Sequence, residues 1–162
     1  MGADFAEWYR AEHPRLVTAL LLVAGDLGIA QEAADEAFAR ALARWSRVGA
    51  MESPNGWVYC VGLNVLRRRW RRAALEARIL SRQLPPPHIP APAGEAWDAV
   101  RQLPPRQRMA VVLRYVADLT EEQVGAAMGV SRSTISSALA DARRTLERLL
   151  ADDETPMEMG CA

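Results

Sequence analysis

The sequence has 162 residues, half of them apolar, with two cysteines, two histidines and a formal net charge of zero. It therefore offers neither the ligand spacing of a structural zinc site nor a disulfide framework, and no metal or other cofactor is expected. The zero conceals an asymmetry: residues 1–64 carry 5 Arg against 8 acids, 65–94 carry 7 against 1, and 95–162 carry 8 against 11, so one central segment concentrates the positive field.

No apolar stretch approaches the roughly 20 residues of a membrane span, so no membrane insertion is expected. The start of the chain, with Asp4 and Glu7, lacks the pattern of a signal peptide, which makes the expected location cytoplasmic. Strand-like alternation is scarce, and the expected fold is all-α. Apolar residues recur at helical spacing from Phe5, Trp8 and Tyr9 to Leu16, Leu20 and Val23 before Gly25–Asp26–Leu27–Gly28 interrupts them. A second helix is predicted from about Ile29 to Trp45. Its acids Glu32, Asp35 and Glu36 lie at the start and Arg40, Arg44 and Arg47 toward the end, the polarity that a helix dipole favours. Ser53–Pro54 marks a third helix start, and Trp57, Val61 and Val65 form its apolar stripe, leading into Arg67–Arg72.

The stretch LPPPHIPAPAG, residues 84–94, cannot continue a helix and reads as a linker. The expected division is a first domain over 1–83, the linker over 84–94, a second domain over 95–151 and a tail over 152–162, with no room for a further C-terminal domain. After the linker, Trp97, Val100 and Leu103 begin a short helix stopped by Pro104–Pro105, and a longer one is predicted from about Arg106 to Val116. Of the histidines, His13 precedes Pro14 near a helix start and His88 lies in the linker, so both read as surface residues without evident partners.

Thr120 to Leu139 has the grammar of a helix-turn-helix. Thr120 can cap a helix that begins with Glu121 and Glu122, and Gly125 admits a close second helix. Gly129 supplies a left-handed turn, Val130 fills the corner and Ser131 caps the next helix. Ile135, Leu139, Ala142 and Leu146 then face inward. Arg132, Ser133, Ser136, Ser137 and Arg143 stay outside, where they suit base edges and phosphates. The plainer reading is an αα-hairpin packed on itself. The tract WVYCVGLNVLRRRWRR, Trp57 to Arg72, interleaves aromatics with Arg, a composition suited to stacking unpaired bases while holding their phosphates. Its plainer reading is a core stripe with a solvated, charged end. Catalysis finds little support, because no glycine-rich phosphate loop, nucleophile elbow or His-paired nucleophile is present.

In this order the parts resemble the extracytoplasmic-function sigma factors of the sigma-70 family, of an actinobacterial kind, over roughly Phe5 to Leu150 less the linker. The resemblance implies a non-enzymatic transcription initiation factor that directs core RNA polymerase to particular promoters. AQEAADEAFARAL, residues 30–42, resembles the polymerase-binding tract, which implies that Glu32, Asp35, Glu36, Phe38 and Arg40 meet the clamp helices of the β′ subunit, with Phe38 alternatively core. The Trp57–Arg72 tract resembles the promoter-melting, −10-reading region and implies roles for Trp57, Asn64, Arg67, Arg68, Arg71 and Arg72. Residues 103–135 resemble the −35-reading region and imply that Arg132, Ser133, Thr134, Ser136, Ser137 and Arg143 meet duplex DNA. The implied partners are the polymerase, including its β flap, promoter DNA and an anti-sigma factor.

One departure from the family pattern matters. Ser136, Ala138 and Asp141 stand where Lys or Arg is common, so the recognition helix is poor in phosphate-binding charge and −35 affinity is expected to be weaker or to lean more on Arg132, Arg143 and Arg144. Two competing readings follow from the same residues: a stand-alone helix-turn-helix regulator that binds paired half-sites as a dimer, and a sigma-like protein that acts through protein contacts alone.

Overall fold

The computed structural model describes residues 4–80 and 94–153, and among them the chain forms helices and no strand. Helix α1 runs Phe5–Ala24, α2 Leu27–Leu42, α3 Trp45–Val48 and α4 Pro54–Leu80; α5 runs Glu95–Gln102, α6 Pro105–Val111, α7 Glu121–Met128 and α8 Arg132–Asp153. The proline stretch, apart from Gly94, and the tail beyond Asp153 lie outside the described residues, and with them His88 and Cys161.

Local chemistry sets the boundaries. The Asp4 carboxylate accepts a hydrogen bond from the Ala6 N–H at 3.1 Å and caps α1. That helix ends where Gly25 turns left-handed at φ 77°, and Asp26 at once caps α2 by accepting from the Ile29 N–H at 2.8 Å. Pro14 does not stand near a helix start, as expected, but inside α1 on an exposed position. There the carbonyl it leaves without an amide partner can turn to water.

The second helix is shorter than predicted. It stops at Leu42 because Trp45 leaves its line to pack its ring 5.2 Å from Phe5 and 4.8 Å from Trp8. Helix α4 starts as expected, with the Gly56 N–H donating to Ser53 Oγ at 3.0 Å, but continues past the arginine cluster to Leu80. The helix expected over 106–116 begins at Pro105 and widens into a π-helical segment over Val112–Val116, which ends ahead of Asp118 at φ 52°.

The core is built on small residues. Ala30, Ala33, Ala34 and Ala37 give α2 a flat, buried face against which Leu16 and Leu20 of α1 and Val58, Leu63 and Leu66 of α4 pack. The C-terminal helices close around Leu113, Leu119, Val124, Ile135, Leu139 and Ala142. The two helical blocks meet: α1 packs on α6 and the π segment, and α4 packs on α7, so buried apolar residues run continuously from one block to the other.

Tyr59 sits at the centre of the first block, fully buried, and its hydroxyl has no hydrogen-bond partner among the described residues. Burial pushes its ionisation well above the ordinary phenol range, and the nearby Glu12 carboxylate adds to the effect. The unfolded chain ionises this phenol near its usual value of about 10 while the folded chain does not, so this contribution to stability is complete below that pH and declines as pH rises beyond it. Tyr59→Phe is expected to leave the melting temperature at neutral pH equal or higher, since it removes an unpaired polar group, and to flatten the loss of stability above pH 10. Thermal unfolding followed by circular dichroism from pH 7 to 11 reads both effects, and a markedly lower midpoint at pH 7 would refute the account.

Candidate nucleic-acid interface

The helix-turn-helix forms as its residues require. Thr120 Oγ1 accepts from the Gln123 N–H at 3.2 Å while the Gln123 side chain accepts from the Thr120 N–H at 2.9 Å, a reciprocal capping box. Gly129 takes the left-handed conformation at φ 70°. Gly125 is required by proximity, because a Cβ there would lie 2.8 Å from the Val130 carbonyl oxygen. Ser131 Oγ accepts from the Thr134 N–H at 3.2 Å, and Ile135, Leu139 and Ala142 are buried with Leu146 partly covered.

Arg132, Ser133, Thr134, Ser136, Ser137 and Arg143 are all exposed on α8, on one continuous helix. Several already have protein partners. Ser136 Oγ donates to Glu121 Oε2 at 2.6 Å, and Arg132 Nε lies 3.5 Å from the same oxygen. The Ser136 hydroxyl first, and Arg132 beside it, hold the Glu121 carboxyl below the ordinary carboxylate range. The Ser131, Ser133 and Thr134 hydroxyls bond among themselves at 2.8–3.0 Å. Arg143 reaches the Tyr115 hydroxyl at 3.5 Å, and that ring is 60% exposed.

On α4 the arginines diverge. Arg68, Arg71 and Arg72 are exposed, with Arg71 Nε donating back to the Arg67 carbonyl at 3.4 Å. Arg67 instead reaches across to the second block, donating to the Ala127 carbonyl at 3.1 Å, near the end of α7, and to Asn64 Oδ1 at 3.4 Å. Asn64 is exposed, whereas Trp57 is half-buried and packs against the core. Between the blocks lies a cleft of about 510 Å3, lined by Val23, Arg67, Trp70, Arg108, Met109 and Met128.

On α2, Glu32, Asp35 and Glu36 are exposed and Arg40 is half-exposed, paired with Glu36 one turn away. Phe38 is 2% exposed, its ring 4.9 Å from Trp8 and 5.1 Å from Tyr9. It therefore supports the acidic face from beneath instead of presenting a contact. His13 is not the unpartnered surface residue expected: its Nε2 lies 2.8 Å from Asp35 Oδ1 and its ring packs on Tyr9 and Phe38.

Two residues inside the Trp57–Arg72 tract were not singled out from sequence. Arg69 pairs with Glu32 of α2, and its place was legible: it follows buried Val65 by four residues and Leu66 by three, on the stripe that turns toward α2. Trp70, 38% exposed, stands among the arginines where Trp57 was expected to offer a ring.

The fold is thus an all-helical chain carrying a C-terminal helix-turn-helix and a separate aromatic–arginine helix. Residues 93–146 match the family model described as sigma-70, region 4. The chain is 31% identical over 132 residues to the RNA polymerase sigma-E factor of Streptomyces antibioticus, covering 78% of this chain and 71% of that protein. It is 29% identical over 157 residues to the RNA polymerase sigma-E factor of Streptomyces coelicolor, covering 93% and 88%. Among solved structures it resembles the sigma factor RpoE of Bartonella quintana in complex with the anti-sigma factor NepR, with a TM-score of 0.78, 21% identity and coverage of 93% of this chain and 98% of that one. CnrH in complex with the cytosolic domain of CnrY gives a TM-score of 0.64 at 21% identity, over 92% and 88%. The chain belongs to the extracytoplasmic-function sigma factors of the sigma-70 family, the subunits that direct core RNA polymerase to specific promoters.

Proposed function

We propose a division of labour along the chain: α2 docks on core polymerase, α4 holds opened −10 DNA, and α8 reads the −35 duplex. Glu32, Asp35, Glu36 and Arg40 supply the polymerase contacts. Arg68, Arg71 and Arg72 hold phosphates of the displaced strand, and Asn64 with Trp70 meets its bases. Arg67 joins them once it leaves the Ala127 carbonyl. Arg132, Ser133, Thr134, Ser136, Ser137 and Arg143 face the major groove.

The observation that carries this reading is the exposure of Arg68, Arg71 and Arg72 together with Trp70 on one helix, beside an acidic helix of opposite charge. Unpairing a base costs a few kcal/mol, which stacking at about 1–3 kcal/mol per base and phosphate contacts can offset. No step in this scheme makes or breaks a covalent bond. An anti-sigma factor is a candidate regulatory partner, in keeping with the two structural neighbours, each solved with a partner protein.

One observation favours a second reading. Arg132 and Ser136, the residues best placed to read a duplex, are both engaged by Glu121, which suits a sigma-like protein acting through protein contacts alone. Run-off transcription separates the readings. Purified chain plus core polymerase is expected to give a discrete transcript from a cognate promoter. Binding to core without any promoter-specific transcript favours the second reading, and dimeric binding to a palindrome without core would point to a stand-alone regulator.

A further inference from the structure

The acidic face of α2 and the arginines of α4 share a groove. Glu32 and Glu36 stand four residues apart and so project from one side of α2. Glu32 pairs directly with Arg69 of α4. Glu36, paired with Arg40 on its own helix, opens onto a cleft of about 240 Å3 that is otherwise lined by Val65, Arg68, Arg69 and Arg72. A second cleft, of about 410 Å3, places Glu32 with Arg69, Trp70 and Arg72. The arginine run is therefore divided: Arg67 is taken by the second block, Arg69 by Glu32, and Arg68 and Arg72 share a groove with Glu36.

We propose that Glu32 is an intramolecular counter-charge for Arg69, so that a polymerase surface which takes Glu32 releases Arg69 to the displaced DNA strand. Arg69 is then a positioning residue in the free chain and a phosphate ligand in the holoenzyme. This rests on the assignment of α2 to polymerase and α4 to opened DNA. Because both side chains are largely exposed, 42% for Arg69 and 64% for Glu32, water screens the pair and the masking is worth only a few-fold in affinity. The coupling is reciprocal: whatever factor polymerase adds to DNA affinity through this pair, DNA adds to polymerase affinity. It follows that the free chain should hold single strands more weakly than the seven arginines within residues 65–94 would otherwise allow.

The test is a charge cycle on the full chain, read with a fluorescein-labelled oligo-dT strand by anisotropy between 50 and 300 mM salt. Glu32→Gln is expected to bind about threefold tighter than the unaltered chain at 100 mM, and to steepen the dependence of log affinity on log salt by about 0.7, the increment of one added phosphate contact on a single strand. Arg69→Gln alone is expected to bring no gain. In the double variant Glu32→Gln/Arg69→Gln the gain is expected to vanish, because the freed cation is no longer there.

A pair that only ties α2 to α4 would lower the melting temperature of Glu32→Gln without steepening the salt dependence, and that result overturns the proposal. A gain that persists in the double variant also overturns it, by assigning the effect to net charge. Association with core polymerase, measured in parallel, keeps the two layers apart. If the chain associates but Glu32→Gln shows unaltered salt dependence, only the counter-charge role is lost. If the chain never associates with core polymerase, the assignment of α2 is lost and this proposal with it.

Discussion

Replacing Arg67, Arg68, Arg71 and Arg72 together by alanine is expected to abolish open-complex formation on a cognate promoter while leaving association with core polymerase largely intact. The size of the effect follows from counterion release. Affinity for a single strand scales as salt to a power of about −0.7 per phosphate contact, so each contact contributes about fivefold at 0.1 M salt relative to 1 M, and four contribute several hundredfold. Arg68, Arg71 and Arg72 are exposed and need little rearrangement, whereas Arg67 must first leave the Ala127 carbonyl. Restoring Arg68 alone should therefore recover more activity than restoring Arg67 alone. Permanganate footprinting of unpaired thymines reads strand opening directly, and native electrophoresis with core reads association. Normal opening in the fourfold variant would remove α4 from the proposed DNA site. Loss of core association in the same variant would show instead that α4 acts through the polymerase.

What was legible in the sequence was whatever depends on neighbours a few residues apart. The Thr120 cap, the left-handed Gly129, the close approach at Gly125 and the inward Ile135 and Leu139 are all set by local spacing, and each appears where the residues place it. The Gly25–Asp26 break between the first two helices is of the same kind. Positions that depend on distant partners were not legible. Trp45 leaves the line of α2 for Phe5 and Trp8, rings some forty positions away in the chain. His13 finds Asp35 on the neighbouring helix, twenty-two positions along the chain. The arginine run reads from sequence as one cationic surface, but a helix sends successive residues in different directions. Arg67, Arg69 and Arg71 accordingly end on α7, on α2 and on their own backbone. In the same way, a polar recognition face gives no warning that Glu121 already holds Ser136 and Arg132.

The contact between the two blocks leads to the other large effect, a wide separation of α4 from α8 on promoter DNA. In this structure Arg67 is bonded to Ala127 and apolar residues are shared across the join. A chain of 162 residues in such a packed state has a radius of gyration of about 15 Å and measures about 40 Å across. The −10 and −35 elements lie about 25 base pairs apart, which at about 3.4 Å each is roughly 85 Å. One packed body cannot touch both. If α4 holds one element and α8 the other, the join must open and the 13 residues between Leu80 and Gly94 must cross much of the gap, for which about 3.3 Å per residue allows about 45 Å, with the helices themselves covering the rest. Donor and acceptor dyes on Ala74→Cys and Ala140→Cys, both exposed positions, in a Cys60→Ser/Cys161→Ser background, are expected to transfer energy efficiently in the free chain and hardly at all in the promoter complex. Arg67→Ala should lower transfer in the free chain, since it removes the hydrogen bond to Ala127 that helps hold the join. Efficient transfer that survives promoter binding would mean that a single packed unit meets the DNA at one place, and α8 would then have no claim on the −35 element.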